Sequence, residues 1–132
     1  MDQNEVKFDV RLDKDAAKEY QKIKQPDLSI VDKSIDELMI RADEVGKPLG
    51  NKRGMNLAGC KEIKLRDAGI RIVFRVTNET VEVLRVVYIL AIEKRSRDFV
   101  FKIASARLKL VKDKKVLLQT LKESKKFAKK ER

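Results

Sequence analysis

The chain has no histidine, no tryptophan, one cysteine and two prolines in 132 residues. Without histidine, the commonest general base and the commonest neutral metal ligand are both missing. Cys60 has no second cysteine with which to form a disulfide or a thiolate metal site. A zinc or haem centre is therefore not expected, and neither is any other cofactor. Acid–base chemistry would have to come from Lys, Asp, Glu, Tyr or Cys, or from arginine acting through its charge. Long apolar runs are also lacking: no stretch could cross a bilayer, and the opening MDQNEVKFDV has neither the basic start nor the apolar core of a signal peptide. These absences lead to the expectation of a cytoplasmic protein with no membrane partner.

What the chain does have is charge. Charged residues make up 40% of it and hydrophobic ones 42%, with a net charge of +11. Residues 109–132 hold ten Lys or Arg against three Asp or Glu, a net of +7, which leaves +4 for residues 1–108. An anionic partner suits such a balance, and the tail alone would attract nucleic acid nonspecifically.

Periodicity divides the chain into elements. Val6, Phe8, Val10 and Leu12 alternate, as on a half-buried strand. Asp13 stands where an N-cap belongs, before the helical stripe Ala16, Ala17, Tyr20 and Ile23, which Gln25-Pro26 stops. Asp27 is placed to cap a second helix carrying Val31, Ile35, Leu38, Met39, Ala42 and Val45, with Gly46 as its C-terminal stop. Residues 47–60, rich in glycine and without periodicity, read as a loop. In KEIKLRDAGIRIVFRV, residues 61–76, Ile63 and Leu65, and then Ile70, Ile72, Phe74 and Val76, alternate with charged positions. Asp67-Ala68-Gly69 supplies the hairpin connection. A turn at Thr77–Thr80 then leads into VEVLRVVYILAI, apolar on both faces like a central strand. A helix carrying Val100, Ile103, Ala104, Arg107, Leu108 and Val111 follows, then a second amphipathic stretch and a polar end expected to fray.

The resulting class is α+β: an N-terminal strand, a helical hairpin, an antiparallel three-strand meander and a C-terminal helix. The expected division is a domain over 1–111 and a basic helical tail over 112–132. The hairpin's second face carries Lys64, Arg66 and Arg71, and two readings of it stand: a solvated sheet face, or a grip on phosphate. The tail has three: a solubilising helix, an aid to RNA attraction, or a segment lying in a partner's groove.

GKPL at 46–49, Gly59-Cys60, the hairpin at 61–76 and KRSRDFVF at 94–101 together resemble the RelE/ParE superfamily of toxins from type II toxin–antitoxin systems, with the nearer match to the RelE branch. The resemblance runs from about residue 5 to 108. It implies the RelE-like microbial RNase fold and cleavage of messenger RNA in the ribosomal A site, by attack of a ribose 2′-hydroxyl on the adjacent phosphodiester. The partners it implies are messenger and ribosomal RNA on the ribosome and a cognate antitoxin. Carried onto this chain, it makes Lys64 a proton acceptor or phosphate clamp, and Arg71 and Arg95 stabilisers of transition-state charge. Arg66, Lys94, Arg97 and Phe101 become RNA contacts. Two positions depart: Glu62 stands where the family has a lysine, and Phe101 where it has a tyrosine. Glu62 is a second candidate base, with a cross-strand partner of Arg71 or Arg75 as its plainer role. The alternative from another class is a noncatalytic binding protein on the same scaffold, either a ParE-like gyrase inhibitor or a repurposed protein- or RNA-binding domain.

Overall fold

The computed structural model describes residues 5–52, 54–94 and 96–130. Strand β1 (Phe8–Leu12) turns Phe8, Val10 and Leu12 into an apolar core, as the alternation predicts. The other face of this strand was expected to meet solvent, yet Asp9 and Arg11 are only 6% and 5% exposed. The chain's last helix covers them. Arg11 Nε donates to Asp9 Oδ2 at 3.0 Å, and its Nη1 donates to the carbonyls of Leu121 and Ser124 at 3.2 and 2.9 Å. Arg11 thus ties Asp9 to a helix end, while Asp9 Oδ1 is left without a hydrogen-bond partner among the described residues.

Helix α1 (Lys14–Gln21) is capped by Asp13, whose Oδ1 accepts from the N–H groups of Asp15 and Ala16. Helix α2 (Asp27–Arg41) corrects two expectations. Asp27 is its first helical residue, not its cap, and Gln25 Oε1 accepts from Ser29 N–H at 3.1 Å instead. At the far end the helix stops at Arg41, short of Gly46. Lys61 Nζ reaches across to the carbonyls of Ala42, Asp43 and Val45, at 3.4, 3.1 and 3.0 Å, and so replaces a glycine stop. Gly46, at φ +87°, instead turns the chain under the Phe74 ring, where a Cβ would sit 3.0 Å from Cζ.

The stretch expected to be loop holds β2 (Lys47–Pro48) and a small hairpin of β3 (Asn51–Lys52) and β4 (Met55–Asn56). The meander follows as β5 (Cys60–Leu65), β6 (Ile70–Thr80) and β7 (Arg85–Glu93). The turn expected at Thr77–Thr80 falls later, at 81–84. Thr77 and its neighbours remain in the strand, with Thr77 Oγ1 donating to Val86 O at 2.8 Å. The sheet order is β1-β7-β6-β5-β2, with β1 parallel to β7 and every other pair antiparallel. Helices α3 (Arg97–Lys109) and α4 (Lys114–Glu123) close the fold, capped by Ser96 and Asp113. No helix among the described residues is long and apolar enough to cross a membrane.

Each sheet face carries its own core. Ile70, Ile72, Phe74, Val87 and Ile89 pack under α1 and α2, while Cys60, Val73, Tyr88, Leu90 and Ala91 pack under α3 and α4. Leu117 and Leu121 of α4 belong to the second core. Past α4 the chain does not fray but is held as far as Lys130. Phe127 N–H donates to Val10 O at 2.7 Å, and its ring meets Tyr20 edge-on at 5.2 Å.

Strand β7 runs beyond the end of β1, leaving an open edge near Leu90 and Ile92. Side chains close that edge. Arg107 donates to Leu90 O at 2.8 Å and to both Glu19 oxygens at 3.0 and 2.7 Å, and Ile92 N–H donates to Glu19 Oε1 at 3.0 Å. Burial works against the Arg107 charge, but the hydrogen bond to Glu19 and the charges of Glu19, Asp13 and Asp15 outweigh it and hold the proton more firmly than usual. Removing one partner strands the other charge and one main-chain group, Leu90 O when Arg107 is lost and Ile92 N–H when Glu19 is lost. Arg107→Ala and Glu19→Ala are each expected to cost about 3–5 kcal/mol, read as a shift in the urea unfolding midpoint; a cost under about 1 kcal/mol would show the edge to be hydrated instead.

Candidate RNA-facing site

The hairpin expected at 61–76 forms in a single register: Lys64 opposite Arg71, Glu62 opposite Val73 and Cys60 opposite Arg75. These positions share the sheet face that α3 and α4 cover, but Lys64 and Arg71 lie toward the turn, where that cover ends. Gly69, at φ +67°, closes the turn. On the far side of β6, Arg71 stands opposite Glu93. A bulge sets that pairing: Val73 pairs with Ala91 and Phe74 with Ile89, leaving Leu90 as the extra residue. Regular alternation would have turned Glu93 to the α1–α2 face; one inserted residue reverses the parity and brings it beside Arg71.

Arg71 is the centre of the group. Its side chain is 16% exposed and its Nε lies 3.5 Å from Glu62 Oε1, whose side chain is 10% exposed. That separation makes an ion pair without a hydrogen bond, and the buried Nε has no hydrogen-bond partner among the described residues. Lys64 and Arg66 are exposed at the end of the hairpin. The arrangement therefore offers a preset guanidinium with an unspent donor, a carboxylate against it and a free ammonium across the strand. Such a group can hold a phosphate oxygen and exchange a proton without metal or imidazole.

The remaining positions separate. Arg95 lies outside the described residues. Arg97 is exposed at the start of α3. Lys94 is drawn to the opposite layer, where its Nζ pairs with Asp27 Oδ2 at 2.7 Å. Phe101 is 3% exposed and packed in the core beneath α3, so it offers no ring to a base. The expectation that it contacts RNA does not fit this placement; helical rotation turns Phe99 outward instead, at 37% exposure.

Sequence reading missed Glu93, which only the bulge brings to Arg71, and it gave no role to Lys61, which is spent on the end of α2. It had a usable signal for Arg107, a charged residue inside an apolar helical stripe.

No protein-family model matches the chain. A curated Escherichia coli protein described as a RelE-like toxin is 31% identical over 104 residues, covering 79% of this chain and all of that protein. The chain belongs to the RelE-like toxin family. Solved RelE structures agree. An arginine-substituted E. coli RelE in the free state superposes with a TM-score of 0.59 at 28% identity, covering 79% of this chain and 99% of that one. RelE bound to an antitoxin RelB peptide gives 0.51 at 30%, covering 76% and 95%. The RelBE2 toxin–antitoxin complex of Mycobacterium tuberculosis gives 0.51 at 27%, covering 71% and 98%. The α+β architecture read from the sequence is that of RelE.

Within this RelE-like chain, Cys60 is an inert neighbour of the site. Burial pushes its thiol up to about 11, and the charge of Arg75 only partly offsets this. On unfolding the thiol returns to its ordinary 9.0, so between these values the unfolded chain loses its proton first and the fold is destabilised as pH rises. Below that window the group contributes no pH dependence. At pH 8 the native protein is expected to react with Ellman's reagent at least tenfold more slowly than the urea-unfolded chain; equal rates would refute the burial.

Proposed function

We propose that this protein is the toxin of a type II toxin–antitoxin pair and acts as a ribosome-dependent endoribonuclease on messenger RNA in the A site, neutralised by a cognate antitoxin. The observation that carries this reading is the buried, unspent Nε donor of Arg71, held between Glu62 and the exposed Lys64 on an open end of the sheet. Membership in the RelE-like family supplies the chemistry. The 2′-hydroxyl loses its proton to a base as its oxygen bonds to phosphorus, and the bond to the 5′-oxygen breaks as that oxygen takes up a proton. The products are a 2′,3′-cyclic phosphate and a 5′-hydroxyl.

Arg71 would stabilise the charge that builds on the phosphoryl oxygens, a role that suits its planar fork. Lys64, with its exposed ammonium, is the phosphate clamp or the proton acceptor. Glu62 holds Arg71 in position and is the second candidate base. Arg66 and Arg97 contact the RNA backbone, and Arg95 is kept, from the resemblance alone, as a second stabiliser of transition-state charge. Lys94, paired with Asp27, contributes less to RNA than the exposed hairpin residues.

Purified protein added to programmed ribosomes is expected to cut the A-site codon, mapped by primer extension. Arg71→Ala should lower the rate by a factor of 100 or more while the protein remains folded by circular dichroism, at a lowered melting temperature because Glu62 loses its partner. No cleavage by a folded wild-type protein would sink the catalytic reading and leave the noncatalytic binding one, with gyrase and protein partners tested next.

A further inference from the structure

The C-terminal lysines fall into two sets that the sequence does not distinguish. Three are consumed in holding the tail: Lys126 pairs with Glu82, Lys129 with Asp36 at 2.8 Å, and Lys130 donates to the carbonyls of Gln21 and Ile23. Lys109, Lys112, Lys114, Lys115, Lys122 and Lys125 are all exposed. None of these six has a carboxylate partner among the described residues. The acids beside them are engaged elsewhere: Asp113 accepts from the N–H groups of Lys115 and Val116, and Glu123 accepts from Gln119.

Two of these lysines also work against the helix that carries them, whereas Lys109 and Lys122 lie in last turns, where a cation suits the dipole. The first turns of α1, α2 and α3 contain Asp15, Asp27 and Asp98, matched to the positive end of the helix dipole, whereas α4 begins with Lys114 and Lys115 and has no acid in its first turn beyond its cap, Asp113. Lys114 and Lys115 oppose the dipole, so their position is unfavourable to the fold alone. They also lie beyond the motifs at 46–101 that carry the family resemblance. The full length of the E. coli RelE-like protein aligns with 104 residues of the 132 here, and the motifs place the end of that match near residue 108.

We propose that the corner where α3 meets α4, built from Lys109, Lys112, Lys114 and Lys115 and continued by Lys122, is a second RNA contact that binds phosphates without regard to sequence. This rests on the reading of the substrate as RNA. The corner belongs to the layer covering the sheet face that carries Lys64 and Arg71, so both sets of cations lie on one side of the sheet. The exposed apolar residues here, Leu110 and Val116, are too few for a membrane-inserting face and leave the lysines as the principal binding groups.

The test uses the full chain and a fluorescein-labelled, 2′-O-methylated single-stranded RNA, which cannot be cleaved, with anisotropy read across a KCl series. A variant combining Lys109→Ser, Lys112→Ser, Lys114→Ser and Lys115→Ser is compared with one combining Lys14→Ser, Lys22→Ser, Lys24→Ser and Lys33→Ser, which loses the same charge from the α1–α2 layer. The corner variant should bind at least tenfold more weakly at low salt. Its slope of log K against log salt should be shallower by roughly 2–3, about 0.7 per lost phosphate contact. The α1–α2 variant should keep nearly the wild-type slope. Equal slopes in the two variants, with both folded by circular dichroism, would overturn the proposal, because net charge and not the corner would then set affinity. An unchanged RNA slope with lost binding to phosphatidylglycerol vesicles would overturn it in favour of a lipid surface. Because the probe needs no ribosome and no cleavage, failure of the nuclease reading and failure of this one are separable.

Discussion

The contact between Glu19 and Arg107 holds together parts of the fold that no apolar packing joins. Helix α1 lies on one face of the sheet and α3 on the other, and the two meet only past the end of β1, where β7 runs on with its edge open. A carboxylate and a guanidinium take over there the role of a neighbouring strand, one accepting from Ile92 and the other donating to Leu90. Asp13 joins them, 3.8 Å from Arg107 Nε, and is reached by the Tyr88 hydroxyl, whose proton is held more tightly than usual through burial first and the Asp13 charge second. A buried ion pair is rarely a net gain over apolar packing, but here the alternative is unpaired backbone in a dry place. The pair also fixes the Leu90 bulge, and that bulge delivers Glu93 to Arg71. The candidate site is thus aligned from the opposite side of β7.

Basic residues show what burial does with charge in this chain. Arg11, Lys61 and Arg107 all donate to main-chain carbonyls, at the ends of helices or at a strand edge, where lone pairs would otherwise lack partners. Each is long enough to bring an ionised head to a carbonyl while its stem fills apolar space. Arg71 resembles them in burial and differs in donating to no carbonyl among the described residues. Its Nε is left with an ion pair at 3.5 Å and no hydrogen bond. Unspent donors of this kind are uncommon in a folded chain, and a site for an anion is one of the few reasons to keep one.

The sequence made the hairpin legible, down to its turn and its greasy face, because strict alternation over two runs around Asp67-Ala68-Gly69 admits one register with the apolar residues together. Strand β7 was legible for the same reason: Val and Ile on both faces need cover on both. What failed depended on groups far away in the chain. The ends of α2 are set by Gln25 and Lys61 and not by Asp27 and Gly46, because any side chain with the right reach can cap a helix and the nearest is only one contender. Asp9 and Arg11 looked solvated because their cover comes from α4, more than a hundred residues later. Phe99 and Phe101 could be seen to need opposite environments, but which of them went inside depended on the rotation of α3. The Leu90 bulge left no local trace, and with it Glu93 stayed hidden.

Glu62 changes the electrostatics of the site more than its chemistry. Where the resemblance leads one to expect a second lysine, a carboxylate removes one positive charge and adds a negative one, a swing of two beside Arg71. At 3.5 Å its attraction for Arg71 is several kcal/mol at an effective dielectric near 20. A phosphate reaching that guanidinium must share it with Glu62, so ground-state affinity at the site is weakened. On the proposed reaction, transition-state affinity would suffer less, since the phosphoryl oxygens gain charge as the 2′-oxygen attacks and compete better for the fork. The work of holding RNA would then fall away from the reacting atoms. Lysines on α4 and its approach, which have no carboxylate partners among the described residues, would suit that work, because long-range attraction needs only positive charge on the correct side of the sheet. On that reading the carboxylate at position 62 and the lysines after residue 108 would divide the work, with orientation at the hairpin and attraction at the periphery.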